Sequence, residues 1–282
     1  MKMVNIRSLL ACVVWACALL GGGWAEGLEL KPGMGWLKPG GEWNLRTPIR
    51  VLLAGDSLMQ SLGPQMRDSL RGYTNLTLIP FGRKSTGLSR SDYYNWPRAL
   101  KERLVADKPH LVIFWVGTND PQGIYGKSGL GEPCSNAWQL AYLGKIREIF
   151  HLVQQHRARL ILMGPPVVSD PKLDAQLATI NKLMGWVCRK DGVCYVDTRS
   201  ILSDSRGRFL AEGSLLSGRR VSLRTPDGVH ITTGGNQRIM EHLLPYVSLE
   251  LKRCFYTQPA SGTAAKPGAR SGAQLSGKSA AR

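Results

Sequence analysis

The sequence predicts an α/β protein, with residues 49–256 folded as a single three-layer α/β/α sandwich around a central parallel sheet. Several short apolar runs lack polar alternation, which is typical of strands buried on both faces of a sheet. Stretches with apolar residues at helical spacing separate most of these runs, and this alternation favours a parallel sheet with helices on both faces. The 43% share of hydrophobic residues is ample for one packed core.

Five apolar runs are the predicted strands of this sheet. They cover residues 50–54, 76–81, 111–116, 160–163 and 193–196. Helical spacing of apolar residues predicts a helix directly after Ser57 and three further helices, over residues 138–155, 172–189 and 235–251. The carboxyl ends of parallel strands meet at one edge of the sheet, which is where ligands bind in folds of this class.

The two ends of the chain differ from this central region. Residues 1–25 combine two basic residues, a short apolar run and small residues up to a predicted cleavage after Ala25, as in a secretory signal peptide. We therefore expect an exported protein, periplasmic or secreted; an uncleaved inner-membrane anchor is the alternative, although the apolar run is short for a span of about 20 residues. Residues 26–48 predict an irregular lead-in, and the basic, Gly/Ala/Ser-rich residues 257–282 predict a disordered tail.

The chain is strongly basic, with a formal net charge of +17, of which about +11 lies in residues 26–256. A field of this sign favours anionic partners, such as acidic glycans, other anionic polymers or an anionic membrane surface. Nucleic acid is not predicted as a partner, because the chain has no recognisable nucleic-acid-binding motif.

Four cysteines remain after removal of the predicted signal peptide, and an even count permits disulfides in an oxidising compartment. Cys188 and Cys194 flank a Lys-Asp-Gly turn and could bridge across it. Free buried thiols are the equally weighted alternative. The pairing of Cys134 and Cys254 is open as well.

Ser57 lies where a predicted strand ends and a helix begins. At that place in a parallel sheet the helix N-terminus offers backbone N–H groups and a positive dipole to an anion, so a serine hydroxyl there can serve as a nucleophile. The structural alternative is that Asp56 or Ser57 only caps the helix.

Three further polar residues lie at predicted strand or helix ends. Asn119 follows the third apolar run, and Asp227 and His230 stand three residues apart before the last helix, in a turn that Gly228 can bend. A nucleophilic serine needs a base, and the base needs an acceptor that fixes its tautomer and stabilises the imidazolium. Ser57, His230 and Asp227 can provide these three groups.

The motifs around these residues resemble those of the SGNH, or GDSL-type, hydrolase superfamily. Gly-Asp-Ser-Leu at 55–58, Gly-Thr-Asn-Asp at 117–120 and Asp-Gly-Val-His at 227–230 follow the superfamily's order, and the similarity spans residues 49–250. The resemblance implies a flavodoxin-like α/β/α sandwich.

The resemblance also implies a role for each site residue. Ser57 would be the nucleophile, His230 the general base and Asp227 the carboxylate that orients this base. The oxyanion hole would consist of the Ser57 backbone N–H, the Asn119 side chain and a glycine N–H. Such donors stabilise charge that develops only in the tetrahedral intermediate, and losing one typically costs about 10²–10³ in rate.

Two glycines are candidates for that third donor, Gly82 and Gly87. Gly87 is favoured because residues 85–88 and 91–97, together with the loop 119–122, resemble an exported bacterial subgroup of the superfamily whose function is poorly defined. Gly82 is the alternative, since the superfamily places its glycine after the second strand.

Other catalytic and ligand-binding motifs are excluded by their residues. No Gly-x-Ser-x-Gly elbow occurs, so the main signature of the α/β-hydrolase fold is missing. Residues 126–128 imitate the end of a phosphate-binding loop, but Pro121 stands where its first glycine should be. His151 and His156 have no carboxylate or thiol ligand nearby in the sequence, so we predict neither a metal nor an organic cofactor.

The site residues predict ester hydrolysis or acyl transfer through an acyl-serine intermediate. Together with export, the resemblance favours a short O-acyl group, acetyl above all, on a cell-envelope or extracellular glycan. A lysophospholipase or general short-chain esterase is the alternative among enzymes. A catalytically weak binding or assembly factor of the envelope is the alternative outside them.

The length of the acyl group depends on what lines the crevice. The loops at residues 84–96 and 121–133 are rich in Gly, Ser, Tyr and charge and lack a long apolar stripe, which favours short acyl groups. The alternative is that Trp138, Leu215 and Leu216 fold over the crevice and form an apolar groove. Such a groove would favour a long acyl chain and hence a lipase-like activity.

Overall fold

The computed structural model describes residues 48–73, 75–123 and 132–256. The predicted signal peptide, residues 26–47 of the predicted lead-in and the predicted tail from residue 257 lie outside the described residues. The predicted α/β/α sandwich is confirmed, because a central sheet of five parallel strands has helices packed on both of its faces.

The strands of this sheet pair in the order β2-β1-β3-β4-β5, and every pair is parallel. They are β1 (Ile49–Gly55), β2 (Leu76–Gly82), β3 (Leu111–Trp115), β4 (Arg159–Met163) and β5 (Cys194–Val196). Each predicted run coincides with one strand to within one residue at either end.

Six helices accompany the sheet within the described residues. They are α1 (Ser57–Leu70), α2 (Trp96–Asp107), α3 (Asn136–Gln155), α4 (Pro171–Asp191), α5 (Thr198–Ile201) and α6 (Thr233–Tyr256). Helices α1 and α6 cover one face of the sheet, and α2, α3 and α4 cover the other. In the described part of the chain, no helix combines the length and apolarity needed to cross a bilayer.

Strand β1 shows why its sequence has no polar alternation. Val51 and Leu53 pack into the core beneath α1 and α6, whereas Leu52 and Ala54 pack into the core on the opposite face. Successive side chains of a strand point to opposite faces, so a strand covered on both sides is apolar at every position.

The strand order reverses between β1 and β3, and this reversal opens a crevice at the carboxyl edge of the sheet. Strand β1 continues into α1 on one face, and β3 leads to α3 on the other. The two connections therefore diverge, and the space between them is where ligands bind in open α/β sheets. Ser57 and Asn119 follow β1 and β3 at this point.

A short antiparallel hairpin precedes the last helix and was not predicted. Its strands are β6 (Glu212–Ser214) and β7 (Arg220–Ser222). At its tip Leu215 is nearly buried, whereas Leu216 is exposed and its backbone N–H donates to the carboxylate of Glu241 in α6. The tip thus contacts the side of α6.

The four described cysteines are free thiols, so the structure contains no bridge between Cys188 and Cys194. Cys188 belongs to the core beneath α3 and α4, while Cys194 packs against the core on the opposite face of the sheet. Burial raises the pKa of both thiols, that of Cys194 to about 12, which keeps them protonated.

Candidate active site

The end of β1 positions Ser57. Gly55 has a φ of +153°, and a Cβ atom at this position would overlap the carbonyl oxygen of Trp115, so only glycine fits. That same oxygen accepts a hydrogen bond of 3.0 Å from the Asp56 N–H. Asp56 in turn caps α1 by accepting from the Leu58 N–H at 2.9 Å. Asp56 is therefore the capping residue, and the Ser57 hydroxyl is left for another partner.

That partner is His230. The Ser57 Oγ lies 3.0 Å from His230 Nε2, and His230 Nδ1 lies 2.6 Å from the Asp227 Oδ2. A carboxylate can only accept, so Nδ1 carries the proton and Nε2 is free to accept from the serine hydroxyl. The structure thus brings together the three residues of the predicted triad, whose catalytic roles stay predictions.

Asp227 is held as an ionised carboxylate. Its Oδ1 accepts from the Thr225 hydroxyl at 2.6 Å and from the backbone N–H groups of Val229 and His230, each at 2.9 Å. The pKa of Asp227 is lowered from its usual range, chiefly by the Thr225 hydroxyl and also by the bond to His230. These bonds fix the carboxylate in the orientation that holds the imidazole.

The turn that carries Asp227 is hydrogen-bonded to the loop after β4. The Ser169 N–H donates to the Gly228 carbonyl at 3.1 Å, and a Cβ atom on Gly228 would overlap the Ser169 hydroxyl. Gly228 also has a φ of +69°, in the left-handed region that favours glycine. A larger residue there would have to displace either Ser169 or the turn that carries Asp227 and His230.

Asn119 lies at the same edge of the sheet and contacts the loop after β2. Its Nδ2 donates to the carbonyl oxygen of Thr86 at 3.0 Å. An amide nitrogen has a second N–H, so this bond leaves one donor that can serve an oxyanion. The structure therefore joins Asn119 to the residue that precedes Gly87.

The two candidate glycines differ in position. Gly82 is the last residue of β2, is paired in register with Gly55, and its carbonyl accepts from the Gln60 side chain at 2.9 Å. Gly87 is buried in the loop that Asn119 binds. This placement favours Gly87 over Gly82, and the role of its N–H as an oxyanion donor stays a prediction.

Two fully buried carboxyl groups, Asp56 and Asp120, lie behind these loops. Burial raises the pKa of Asp56 to about 8, with a smaller contribution from the charge of Asp120. Burial also raises the pKa of Asp120, but its oxygens accept from the Tyr142 hydroxyl at 2.6 Å and the Ser89 N–H at 2.8 Å. Asp56 Oδ2 has no hydrogen-bond partner in the described part of the chain. The proton therefore resides more favourably on Asp56 than on Asp120.

Sequence reasoning did not identify two buried residues that support the site. Tyr142 binds Asp120, and Arg224 donates from Nη2 to the carbonyl of Val167 in the loop after β4. Neither has a motif of its own. Tyr142 is one of several apolar or aromatic residues in an amphipathic helix, and Arg224 is one of several arginines in a basic stretch. Nothing in the sequence distinguishes either residue from these neighbours.

Three residues were the alternative lining of an apolar groove, and the structure shows where each of them lies. Trp138 is fully buried, stacks on Tyr142 with ring centroids 4.6 Å apart, and donates from Nε1 to the Gln122 carbonyl. Leu215 and Leu216 lie at the hairpin tip beside α6. A fully buried Trp138 cannot line such a groove, whereas a contribution from Leu215 and Leu216 is untested.

No cluster of three or more His, Cys, Asp and Glu side chains suitable for a metal ion occurs in residues 48–73, 75–123 and 132–256. The described site offers groups for nucleophilic catalysis. It holds a serine with a base, a carboxylate behind that base, and backbone and amide N–H groups around the serine.

Comparisons with known proteins agree with this fold. An aryl esterase of M. smegmatis has a TM-score of 0.52 and 16% identity, covering 72% of this chain and 99% of its own. LAE5, an alpha/beta hydrolase enzyme from the metagenome of Lake Arreo, has a TM-score of 0.52 and 14% identity, with 73% and 98% coverage. TesA has a TM-score of 0.50 and 15% identity, with 73% and 99% coverage. These identities establish a shared fold only.

At the level of sequence, the search of curated proteins finds no match. The predicted resemblance to the SGNH, or GDSL-type, superfamily is confirmed for the fold. One family model matches residues 50–246, which include the described motifs from Ser57 to His230. The chain belongs to this family, which is described as "Protein of unknown function (DUF459)".

Proposed function

We propose that this protein is an exported serine esterase that removes or transfers a short O-acyl group through an acyl-serine intermediate. The observation that carries the proposal is the chain of hydrogen bonds from the Ser57 hydroxyl through His230 to Asp227, at 3.0 Å and 2.6 Å. Similar structures that are named as an aryl esterase and a hydrolase support the same class of reaction.

In the proposed mechanism, His230 takes the proton of the Ser57 hydroxyl as the oxygen attacks the ester carbonyl. Asp227, ionised and bound to Nδ1, stabilises the imidazolium that forms. The tetrahedral oxyanion receives hydrogen bonds from the backbone N–H groups of Ser57 and Gly87 and from the Asn119 amide. His230 then protonates the leaving alcohol, and water or a sugar hydroxyl releases the acyl group from the serine.

A basic loop beside the crevice supports an acyl group carried on an anionic glycan. The Arg83 N–H donates to the Gly55 carbonyl at 2.7 Å, so the loop after β2 begins directly beside the strand that presents Ser57. Arg83 and Lys84 are both exposed there, and the Arg83 guanidinium lies 4.9 Å from the centre of the Tyr94 ring. Two cations at this place attract an anionic carrier. Export, indicated by the signal-like N-terminus, favours an envelope or extracellular polymer.

Turnover of p-nitrophenyl acetate by the purified protein tests the proposal. We expect Ser57→Ala to lower kcat by at least about 10³-fold, because the members of a triad act as a unit. Ser61→Ala is a matched control, since this serine lies one turn further along α1 and its hydroxyl only donates to the Leu58 carbonyl. Activity of Ser57→Ala within tenfold of the wild type would contradict the assignment.

The same measurement separates the enzyme from a binding factor. A wild-type rate no higher than that of Ser57→Ala, with acetyl and longer esters alike, would favour a catalytically weak envelope component. A wild-type rate well above it supports the esterase. Release of acetate from an O-acetylated acidic glycan, compared with its neutral counterpart, then tests the proposed carrier.

A further inference from the structure

The peptide group between Thr86 and Gly87 links two of the proposed oxyanion donors. Its carbonyl accepts from Asn119 Nδ2 at 3.0 Å, and its N–H is the proposed donor of Gly87. The C=O and N–H of a trans peptide point in opposite directions in one plane. Whatever fixes this peptide group therefore fixes the direction of the Gly87 N–H and the position of the Asn119 amide together.

The carboxylate of Asp120 packs against Gly87 and binds the backbone two residues further along the same loop. Its Oδ1 accepts from the Ser89 N–H at 2.8 Å, two residues after Gly87. It also lies directly against the Gly87 backbone, because a Cβ atom there would overlap Oδ1. Asp120 follows Asn119 in the chain, so one short segment makes both contacts with the loop. A displaced Asp120 would release Gly87 and Asn119 at the same time.

Asp120 is itself held by Tyr142. The Tyr142 hydroxyl donates to Oδ2 at 2.6 Å, and both side chains are fully buried. The Tyr142 ring is stacked on Trp138 with an angle of 12° between the rings, inside the core beneath α3. A charged hydrogen bond to a buried carboxylate is among the stronger ones, and losing its donor leaves the charge poorly compensated.

Resting on the esterase function, we propose that Tyr142 is a positioning residue for the oxyanion hole and acts through Asp120 on Gly87 and Asn119. The role is distinct from simple packing, because the hydroxyl alone makes the contact that matters. Removing it leaves the ring and its stack in place. The oxyanion interaction exists only in the transition state, so the proposal predicts a loss in kcat rather than in substrate binding.

Tyr142→Phe tests this proposal, with Tyr195→Phe as the matched control. Tyr195 is a partly buried tyrosine that packs against the same core, and its hydroxyl also donates at 2.6 Å, but to Asn181 Oδ1 in α4. We expect kcat for p-nitrophenyl acetate to fall about tenfold or more in Tyr142→Phe with KM nearly unchanged, and to change less than twofold in Tyr195→Phe. Equal rates in the two variants, or a change in KM alone, would overturn the proposal.

A double-mutant cycle with Asn119→Ala distinguishes positioning from general destabilisation. If Tyr142 acts through the oxyanion donors, its substitution costs less in a variant that already lacks Asn119, so the two losses in kcat do not multiply. Fully multiplicative losses would show that Tyr142 acts elsewhere. If Tyr142→Phe does not fold, Asp120→Asn in the same cycle tests the other half of the link, because an amide whose oxygen still accepts from Tyr142 turns its NH₂ toward the Ser89 N–H and loses that bond.

Hydrogen exchange gives a readout that does not depend on ester turnover. We expect backbone amides of residues 83–90 to exchange faster in Tyr142→Phe than in Tyr195→Phe and the wild type. Unchanged exchange in this loop would contradict the positioning role of Tyr142, whether or not the protein is active. Conversely, faster exchange in Tyr142→Phe, combined with a wild type that hydrolyses no ester, would support the positioning role of Tyr142 and overturn the proposed esterase function.

Discussion

The buried guanidinium of Arg224 donates from Nη1 to the carbonyl oxygen of Val229, the residue immediately before His230, at 3.0 Å. Its Nη2 donates to the carbonyl of Val167 in the loop after β4. Arg224 is 5% exposed, and burial lowers its pKa to about 10, which still leaves it charged at neutral pH. One planar cation thus joins the two loops that hold the proposed base.

Replacing Arg224 with lysine is expected to loosen this junction. An ammonium cannot reproduce the fixed fork of the guanidinium, so one of the two buried carbonyls loses its donor, at a cost of about 1–3 kcal/mol in the free energy of unfolding. We expect kcat to fall as His230 becomes less well placed. Urea unfolding and p-nitrophenyl acetate turnover measure the two effects. Arg220→Lys is the control, because Arg220 is exposed and paired with Glu212. Equal changes in stability and kcat in both variants would contradict the role of Arg224 in holding His230.

The triad predicts non-additive losses. Ser57 Oγ and His230 Nε2 meet at 3.0 Å and would act in one proton transfer, so removing either group should stop the same step. We expect His230→Ala to lower kcat about as much as Ser57→Ala, and the double variant to be no worse than either single one. A double variant much slower than both would show that the two residues contribute to separate steps.

Asn119→Ala tests the amide of the oxyanion hole. We expect kcat to fall by about 10²–10³ with little change in KM, because the hydrogen bond forms mainly in the transition state. Asn95→Ala is a matched removal of a side-chain amide, since Asn95 caps α2 through the Arg98 N–H. That variant should lose stability but keep kcat. A loss confined to KM in Asn119→Ala would move this residue to substrate binding.

The strands and the pairing of Asp227 with His230 were predictable because their signals are local. A strand covered on both faces is an unbroken apolar run, and a short turn brings Asp227 to His230 within three residues. The reach of Ser57 to His230 is not local, since 173 residues separate them. This contact could be predicted only from the resemblance to the superfamily, whose motifs occur in the same order in this sequence.

The supporting residues were not predictable, because their importance arises from long-range packing. Asp120 was part of a recognised motif, but its burial depends on Tyr142, which reaches it from α3. The hairpin of β6 and β7 has strands of three residues each, too short for a periodic signal. Its mixture of Gly, Ser, Leu and Arg predicts an irregular loop, although the two strands form an antiparallel pair.

The buried carboxyl of Asp56 predicts a dependence of stability on pH. Its pKa is 3.8 before folding and about 8 in the folded protein, so the folded state holds a proton that the unfolded state releases between these values. The free energy of unfolding should therefore fall as pH rises from about 4 to about 8 and level off above that. Asp56→Asn keeps a capping side chain and removes the titration. We expect urea unfolding at pH 5 and pH 8 to give a smaller difference for this variant.

Asp68→Asn is the control for that experiment, because Asp68 is exposed on the same helix. It should keep the wild-type difference between the two pH values. Equal differences in all three proteins would show that Asp56 does not carry the proton, and would transfer that role to Asp120 or another buried group.

Acyl chain length is the property that separates the proposed deacylase from a lipase. Trp138 is fully buried and offers no apolar surface to a long chain at the crevice, and the backbone of Leu216 is bound to Glu241 on the side of α6. Each buried CH₂ is worth about 0.8 kcal/mol, and a long chain gains this only where a groove receives it. We expect kcat/KM to be highest for p-nitrophenyl acetate and to fall through butyrate and octanoate to palmitate. Leu216→Ser should leave this order unchanged. A steady rise toward the long chains would replace the short-acyl esterase by a lipase or lysophospholipase, with a groove formed by residues other than these.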